Sequence, residues 1–207
     1  MMSKSNFLSG VVGLLTLTIA NAQVTTTAKI DGSPYLDEAY VQGQIFYADK
    51  SVKMPIRYNI FQDVMEYKQN GRALVLDPTT NIKKVIFGTH TFVVQKFEFK
   101  GKTKYGYLAQ LDSGKVILFS KKVVNYLAEM KGRALDGGDQ PARYNRAPDV
   151  FYYKIGDGEV LEVESIKSMI ASFPAKQEEL TVFAKKEKIT PRKEEKIIKL
   201  VQYYNSL

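Results

Sequence analysis

The sequence predicts an α+β fold: an antiparallel β-meander, curled into a partly closed barrel or a two-layer sheet, followed by two or three C-terminal α-helices. Between Ala39 and Val163, short runs of alternating apolar residues are separated by turn dipeptides such as Asn70-Gly71. Loops this short join antiparallel strands, because a parallel pair needs a long crossover. From Ser165 the apolar spacing changes from a period of two to one of 3.6, which is typical of amphipathic helices.

The first 22 residues have the layout of a secretory signal peptide. Lys4 supplies a positive charge, Phe7–Ile19 form an apolar run, and Ala20-Asn21-Ala22 is a small-residue cleavage site. Because the apolar run is too short to span a bilayer, a membrane anchor is the less favoured alternative. We expect cleavage after Ala22, a periplasmic or extracellular location, and a chain that is not an integral membrane protein after signal cleavage.

The remaining chain divides into three parts. Residues 23–38 contain Thr, Gly, Ser and Pro without periodicity, so we expect a flexible leader, with order beginning near Tyr40. Residues 39–164 form the predicted β-rich domain, and residues 165–207 form a helical subdomain packed on the sheet. The chain contains no Cys, so its stability must come from hydrophobic burial rather than from disulfides.

Ten strands are predicted from the alternation and the turn residues between the runs. They are Ala39–Tyr47, Val52–Tyr58, Val64–Lys68, Arg72–Leu76, Ile82–Phe87, Thr91–Lys100, Lys104–Leu111, Lys115–Lys122, Val150–Ile155 and Glu159–Val163. The long segment Lys131–Pro148 breaks this rhythm and is interpreted as a large loop.

Three amphipathic segments follow the strands. Ser165 is the expected N-cap of the first helix, which Pro174 ends. The second helix is centred on Leu180 and Phe183. Thr190-Pro191 is interpreted as the N-cap and first residue of the third helix.

The charge balance suggests two interpretations of the lysines. The chain has 30 Lys and Arg against 22 Asp and Glu, a formal net charge of +8, and residues 83–133 carry most of this excess. Lysines on outward strand positions keep sheet edges soluble. Alternatively, the Lys-rich 83–133 segment contacts an anionic surface, in which case its lysines should share one face. Export argues against nucleic acid as the partner.

Catalytic signals are few. His90 is the only histidine, and we interpret it as structural; with no Cys either, a multi-His zinc site is excluded. Paired carboxylates are enough for a glycosidase, so an envelope enzyme acting on glycan is the alternative function. The candidate pairs are Asp63 with Glu66, Asp136 with Asp139, and Asp157 with Glu159. No catalytic residue, cofactor or metal site is predicted, and whether the protein is an enzyme stays open, with the motifs leaning against it.

The stretch Arg57–Gly71 is the one most like a signature. A type I′ turn at Asn70-Gly71 would pair Tyr67 with Leu74 and place both on an apolar face. Arg57 is left without a packing role, which makes it a candidate for a ligand-binding surface. Tyr105 and Tyr107, in the basic and aromatic run KFEFKGKTKYGY, are the other two candidates, because Tyr rings can stack on sugars.

The chain resembles a loose group of uncharacterised exported β-rich proteins of Gram-negative bacteria. The resemblance rests on MPIRYNIFQDVMEYKQNG, on NIKKVIFG and on the lysine-rich tail PRKEEKIIKLVQYYNSL, which together cover under half of the chain. It implies an envelope location and no known activity. We therefore expect an exported cell-envelope protein that acts as a non-catalytic binding or structural domain on an envelope ligand or protein.

Overall fold

The computed structural model describes residues 30–132 and 138–207 and confirms the predicted α+β class. One antiparallel ten-stranded sheet, not closed into a barrel, is followed by three helices. The strands are β1 Val41–Tyr47, β2 Ser51–Asn59, β3 Val64–Gln69, β4 Arg72–Leu76, β5 Ile82–Phe87, β6 His90–Phe99, β7 Lys102–Asp112, β8 Val116–Leu127, β9 Arg143–Ile155 and β10 Val160–Glu162. The helices are α1 Ile166–Ser172, α2 Gln177–Lys186 and α3 Glu194–Ser206.

The strand order departs from a simple meander at one place. It runs β10-β9-β8-β7-β6-β5-β1-β2-β3-β4, so β1 lies between β5 and β2. The hairpin predicted at Asn70-Gly71 has the expected register, from Gln69 opposite Arg72 to Met65 opposite Leu76. Both turn residues have positive φ, 50° and 77°, as a type I′ turn requires.

The predicted loop Lys131–Pro148 is wrong in its second half, because β9 already begins at Arg143. Met130 and Gln140 form an isolated bridge before it, and residues 133–137 lie outside the described part. Proline cannot donate to a strand ladder, but Pro148 lies where the β8–β9 register shifts between Lys121 and Val123. The bulge accommodates Pro148 within β9, although this proline had suggested a loop.

The helix starts are confirmed for α1 and corrected for α3. The Ser165 hydroxyl accepts a hydrogen bond from the backbone N–H of Ser168 at 3.0 Å, as an N-cap does. The helix α3 begins at Glu194 with Lys193 as its N-cap, so Thr190-Pro191 is not its start. Glu194 and Glu195 occupy the first turn, where negative charge suits the helix dipole.

Three clusters of buried apolar side chains hold the fold together. The first packs the three helices on β8 and β9, around residues such as Leu118, Phe173 and Leu200. The second is enclosed by β1–β7 together with the far end of β8, around Tyr58 and Phe92. A smaller third cluster joins β6–β9 around Phe119. No helix in the described part of the chain is long and apolar enough to cross a bilayer.

Residues 31–36 form a strap between two distant strands, so order begins earlier than Tyr40. Asp31 forms a bridge with Arg143 of β9, and the N–H of Leu36 donates to the carbonyl of Tyr58 in β2 at 2.9 Å. Gly32 has φ +73°, and a Cβ there would lie 2.2 Å from the carbonyl oxygen of Tyr144. Only the part of the leader from residue 30 is described; the predicted signal peptide lies outside the described residues.

Candidate ligand pocket

Arg57 has a structural environment that the sequence did not reveal. Its Nε donates to Glu66 Oε2 at 2.8 Å, and its Nη2 donates to the hydroxyl of Tyr35 at 2.8 Å. Its guanidinium lies 3.7 Å from the ring centroid of Tyr35 and 4.4 Å from that of Tyr40. Because these partners occupy the guanidinium, Arg57 fixes the strap to β2 and β3 rather than standing ready for a ligand.

Tyr105 and Tyr107 have opposite environments although both lie on β7. Tyr107 is 1% exposed, and its hydroxyl donates to the carbonyl of Leu76 at 2.9 Å. The expectation that it lies on a ligand surface is therefore wrong, because the end of β4 covers this part of the strand. Tyr105 is 58% exposed and faces solvent.

Of the candidate carboxylate pairs, Asp63 and Glu66 do not present a free acid and base. Asp63 forms an ion pair with Lys121, and Glu66 forms one with Arg57. Burial raises the pKa of Glu66, but hydrogen bonds from Arg57 and Tyr40 outweigh it and hold that pKa below its usual value. A general acid at neutral pH needs the opposite shift. Asp136 lies outside the described residues, and Asp157 belongs to the β9–β10 turn.

A buried polar group lies where β2, β7 and β8 meet. The Lys121 side chain is 4% exposed, and its ammonium contacts Asp63 and donates to the Tyr58 hydroxyl at 2.7 Å. The Tyr58 hydroxyl in turn donates to Asp63 at 2.6 Å. Burial lowers the pKa of Lys121, and the Asp63 carboxylate offsets only part of that effect. Burial and the same carboxylate raise the pKa of Tyr58.

Two local features of the backbone bring Asp63, Lys121 and Lys122 to the same depression. Asp63 ends the β2–β3 turn with φ +59°, a conformation that Asp tolerates better than most residues. On β8, consecutive side chains should point to opposite faces, but the register shift after Lys121 disrupts the alternation. Lys121 and Lys122 consequently line the same depression.

This depression is a pocket of about 290 Å³ lined by three segments that are distant in sequence. The β2–β3 turn contributes Phe61 and Asp63, the β6–β7 hairpin contributes Phe99 and two lysines, and β8 contributes residues 121–126. Phe61 and Tyr126 are 46% and 42% exposed, with ring centroids 6.1 Å apart. We call it the lysine pocket, after its four lysines, Lys100, Lys104, Lys121 and Lys122.

Lys100 occupies a turn position that disfavours lysine. It forms with Gly101 the two-residue loop between Phe99 and Lys102, and both loop residues have positive φ, 54° and 71°. Type I′ turns prefer Asn, Asp or Gly at the first position, and an L-residue there costs about 1 kcal/mol. The chain uses Asn at the equivalent position of its other such turn, Asn70-Gly71.

The lysines of the pocket exceed its carboxylates. Lys100 and Lys104 both lie against Phe99, 5.3 and 5.2 Å from its ring centroid, so their ammonium groups are held on one ring. Lys122 is paired with Asp149 at 2.5 Å and with Glu194 at 3.3 Å. Asp63 is the one acidic residue that lines the pocket. An anion bound here would relieve the repulsion between Lys100 and Lys104.

The lysines of residues 83–133 do not all share one face, which the predicted contact of this segment with an anionic surface had required. Lys83 and Lys84 are consecutive in β5 and therefore point to opposite sides of the sheet, with Lys84 over the ring of Phe46. Lys115 lies at the β7–β8 turn, at the opposite end of β7 from Lys100. Within this segment, four lysines, Lys100, Lys104, Lys121 and Lys122, line the lysine pocket.

His90 contacts the rings of Phe87 and Phe92, with centroids 5.9 and 6.2 Å away, as a packed side chain does. Within residues 30–132 and 138–207, no three His, Cys, Asp or Glu side chains lie close enough to share a metal ion.

Comparison with protein-family models, with curated proteins and with solved structures found no match for this chain. The lysine pocket therefore has to be interpreted from its own geometry.

Sequence reasoning missed this pocket because its walls come from three separate segments. The basic and aromatic run was correctly predicted to lie on strands, which are β6 and β7. Its tyrosines were chosen as ligand-binding candidates, whereas its lysines line the pocket. A usable signal was Lys100-Gly101, a turn dipeptide with lysine where Asn is preferred. The contribution of β8 could not be found, because it depends on a bulge.

Proposed function

We propose that the protein is an exported cell-envelope binding domain that holds an anionic glycan in the lysine pocket. The signal-peptide pattern of residues 1–22 supports export. The pocket itself supports the ligand class: its ammonium groups attract carboxylate, sulfate or phosphate, and the exposed rings of Phe61 and Tyr126 offer apolar faces to a sugar ring.

One observation carries this proposal. Lys100 and Lys104 converge on one ring beside a pocket that contains a single carboxylate, and that carboxylate is already paired with Lys121. Positive charge without a compensating acid in a concave, aromatic-rimmed site is a feature of binding sites for anions. A volume of about 290 Å³ fits one or two sugar units of a longer chain.

Binding accounts for the site better than hydrolysis does. A glycosidase acting through paired carboxylates needs one carboxyl group that is protonated near neutral pH. Asp63 and Glu66, the candidate pair nearest the pocket, are each held by a cation. We therefore propose a non-catalytic role, with the glycan-acting enzyme as the alternative.

Calorimetric titration of the signal-cleaved protein with trigalacturonate tests the ligand class. We expect saturable binding that weakens as NaCl rises from 20 to 500 mM, because exposed charges are screened. Maltotriose, a neutral trisaccharide, should bind at least about tenfold more weakly, corresponding to about 1.4 kcal/mol. Release of shorter oligosaccharides during the titration would instead support the enzyme.

The matched control uses two lysines of one hairpin. Lys104→Gln should weaken trigalacturonate binding about three- to tenfold, whereas Lys102→Gln should leave it unchanged, because Lys102 is exposed and does not line the pocket. Equal losses in both variants would indicate a general charge effect and would overturn the assignment of the pocket.

A further inference from the structure

The groove between α1 and α2 combines an apolar floor with a basic rim. Its volume is about 560 Å³. The floor is formed by Ile166, Ile170, Ala184 and Ile189, of which Ile170 and Ala184 are buried. Lysines surround it, at positions 167, 185 and 188. This groove lies on the helices, apart from the lysine pocket.

The groove lysines have no acidic partners of their own. Among the described residues, none of Lys167, Lys185 and Lys188 forms an ion pair. Two acids of α2 and its C-terminal end have partners outside the groove: Glu187 pairs with Lys199 of α3 at 2.5 Å, and Glu179 accepts from the Tyr203 hydroxyl at 2.7 Å. The groove therefore presents three positive charges beside apolar surface.

Lys188 adopts a backbone conformation that is unfavourable for lysine. The N–H of Lys188 donates to the carbonyl of Lys185, and the N–H of Ile189 donates to that of Ala184, which is the Schellman pattern at a helix end. The residue at the Lys188 position adopts φ +51° and is usually Gly; lysine there costs about 1 kcal/mol. The turn places Ile189 on the floor and a charge on the rim.

We propose that this groove binds the acyl chain of a free fatty acid, with its carboxylate held by the rim lysines. The apolar floor matches the chain, and the unpaired lysines match a single negative headgroup. Because the apolar residues lie at the bottom of a concavity, a chain has to enter the protein; insertion into a bilayer would require them to protrude. This site is independent of the proposed glycan binding.

The test is calorimetric titration of the signal-cleaved protein with hexadecanoate at concentrations below micelle formation. We expect saturable 1:1 binding, weakened about three- to tenfold in Lys185→Gln and in Lys188→Gly. Lys188→Gly should at the same time raise the melting temperature, because it removes the strained lysine. The loss of binding then cannot be explained by unfolding.

Three controls define the outcome. Lys186→Gln, on the same helix but outside the groove, should bind hexadecanoate as the unmodified protein does. Lys104→Gln should also leave it unchanged, which separates this site from the lysine pocket. No saturable binding, equal weakening in Lys186→Gln, or retention on phosphatidylglycerol vesicles that depends on Lys185 and Lys188 would overturn the proposal, the last in favour of a membrane surface.

Discussion

Lys121 is a buried lysine whose charge depends on its neighbours. Its ammonium is buried between Tyr58 and Asp63, and the carbonyl of Tyr107 lies 3.4 Å from it. Breaking a buried ion pair by removing one partner costs much more than replacing both partners with uncharged groups. The interaction between Lys121 and Asp63 can therefore be tested by comparing single and double variants.

Asp63→Asn should therefore destabilise the protein by about 3 kcal/mol, because it leaves the Lys121 charge uncompensated. Asn also tolerates the positive φ at this position, so the backbone of the turn is kept. The double variant Asp63→Asn/Lys121→Met should recover most of this loss. Urea unfolding measures both; a double variant less stable than Asp63→Asn would show that the charges are not the main interaction.

Glu66, the ion-pair partner of Arg57, makes the stability of the folded protein depend on pH. Its pKa is lowered in the folded protein from an ordinary value of 4.5, so the unfolded chain takes up its proton first as the pH falls. The stabilisation is complete above about pH 4.5 and is lost as the pH falls through the lowered value. In urea unfolding, the stability difference between the unmodified protein and Glu66→Gln should shrink from pH 7 to pH 3. A constant difference would contradict this account.

At the residue scale, the sequence predicted side-chain direction better than it predicted burial. Arg57 does point away from the face of Tyr58, but residues 35–40 come back to cover it. Tyr107 is covered by β4. Alternation along a strand identifies the two faces of a sheet, but it does not tell which other segment covers each one.

At the scale of elements, hairpins and helices followed from local chemistry. β4 and β5 match their predicted bounds, and Ser165 caps α1 as expected. The first half of β9 was missed because Gly and Pro usually mark loops, whereas here Pro148 lies at a bulge. The strap was missed because its hydrogen bonds join segments more than 20 residues apart along the chain.

The end of α3 is attached to the sheet by Asn205. Its Oδ1 accepts from the N–H of Val116 at 2.9 Å, and its Nδ2 donates to the carbonyl of Val116 at 3.0 Å. Asn205→Ala should cost about 1–3 kcal/mol, because both backbone groups lose their partner. Faster hydrogen exchange at the Val116 amide would show the loss directly. Gln202→Ala, an exposed position on the same helix, is the control and should change neither quantity.

At the scale of the whole molecule, curvature of the sheet creates the lysine pocket. The β2–β3 turn approaches the far end of β8, where Phe61 packs with Tyr126 and Tyr144 at centroid distances of 6.1 and 5.4 Å. The strap holds the same region together from outside, since it contacts both β2 and β9. No local pattern could predict this meeting, because β2 and β8 are separated by four other strands in the sheet.

The central claim is that positive charge in this pocket is kept for a ligand at a cost in stability, and Lys100→Asn tests it most directly. Asn suits the positive φ of the turn, so this variant should be more stable by about 0.5–1 kcal/mol in urea unfolding. In calorimetry the same variant should bind trigalacturonate about three- to tenfold more weakly. A variant that gains stability and binds as tightly as the unmodified protein would contradict the account.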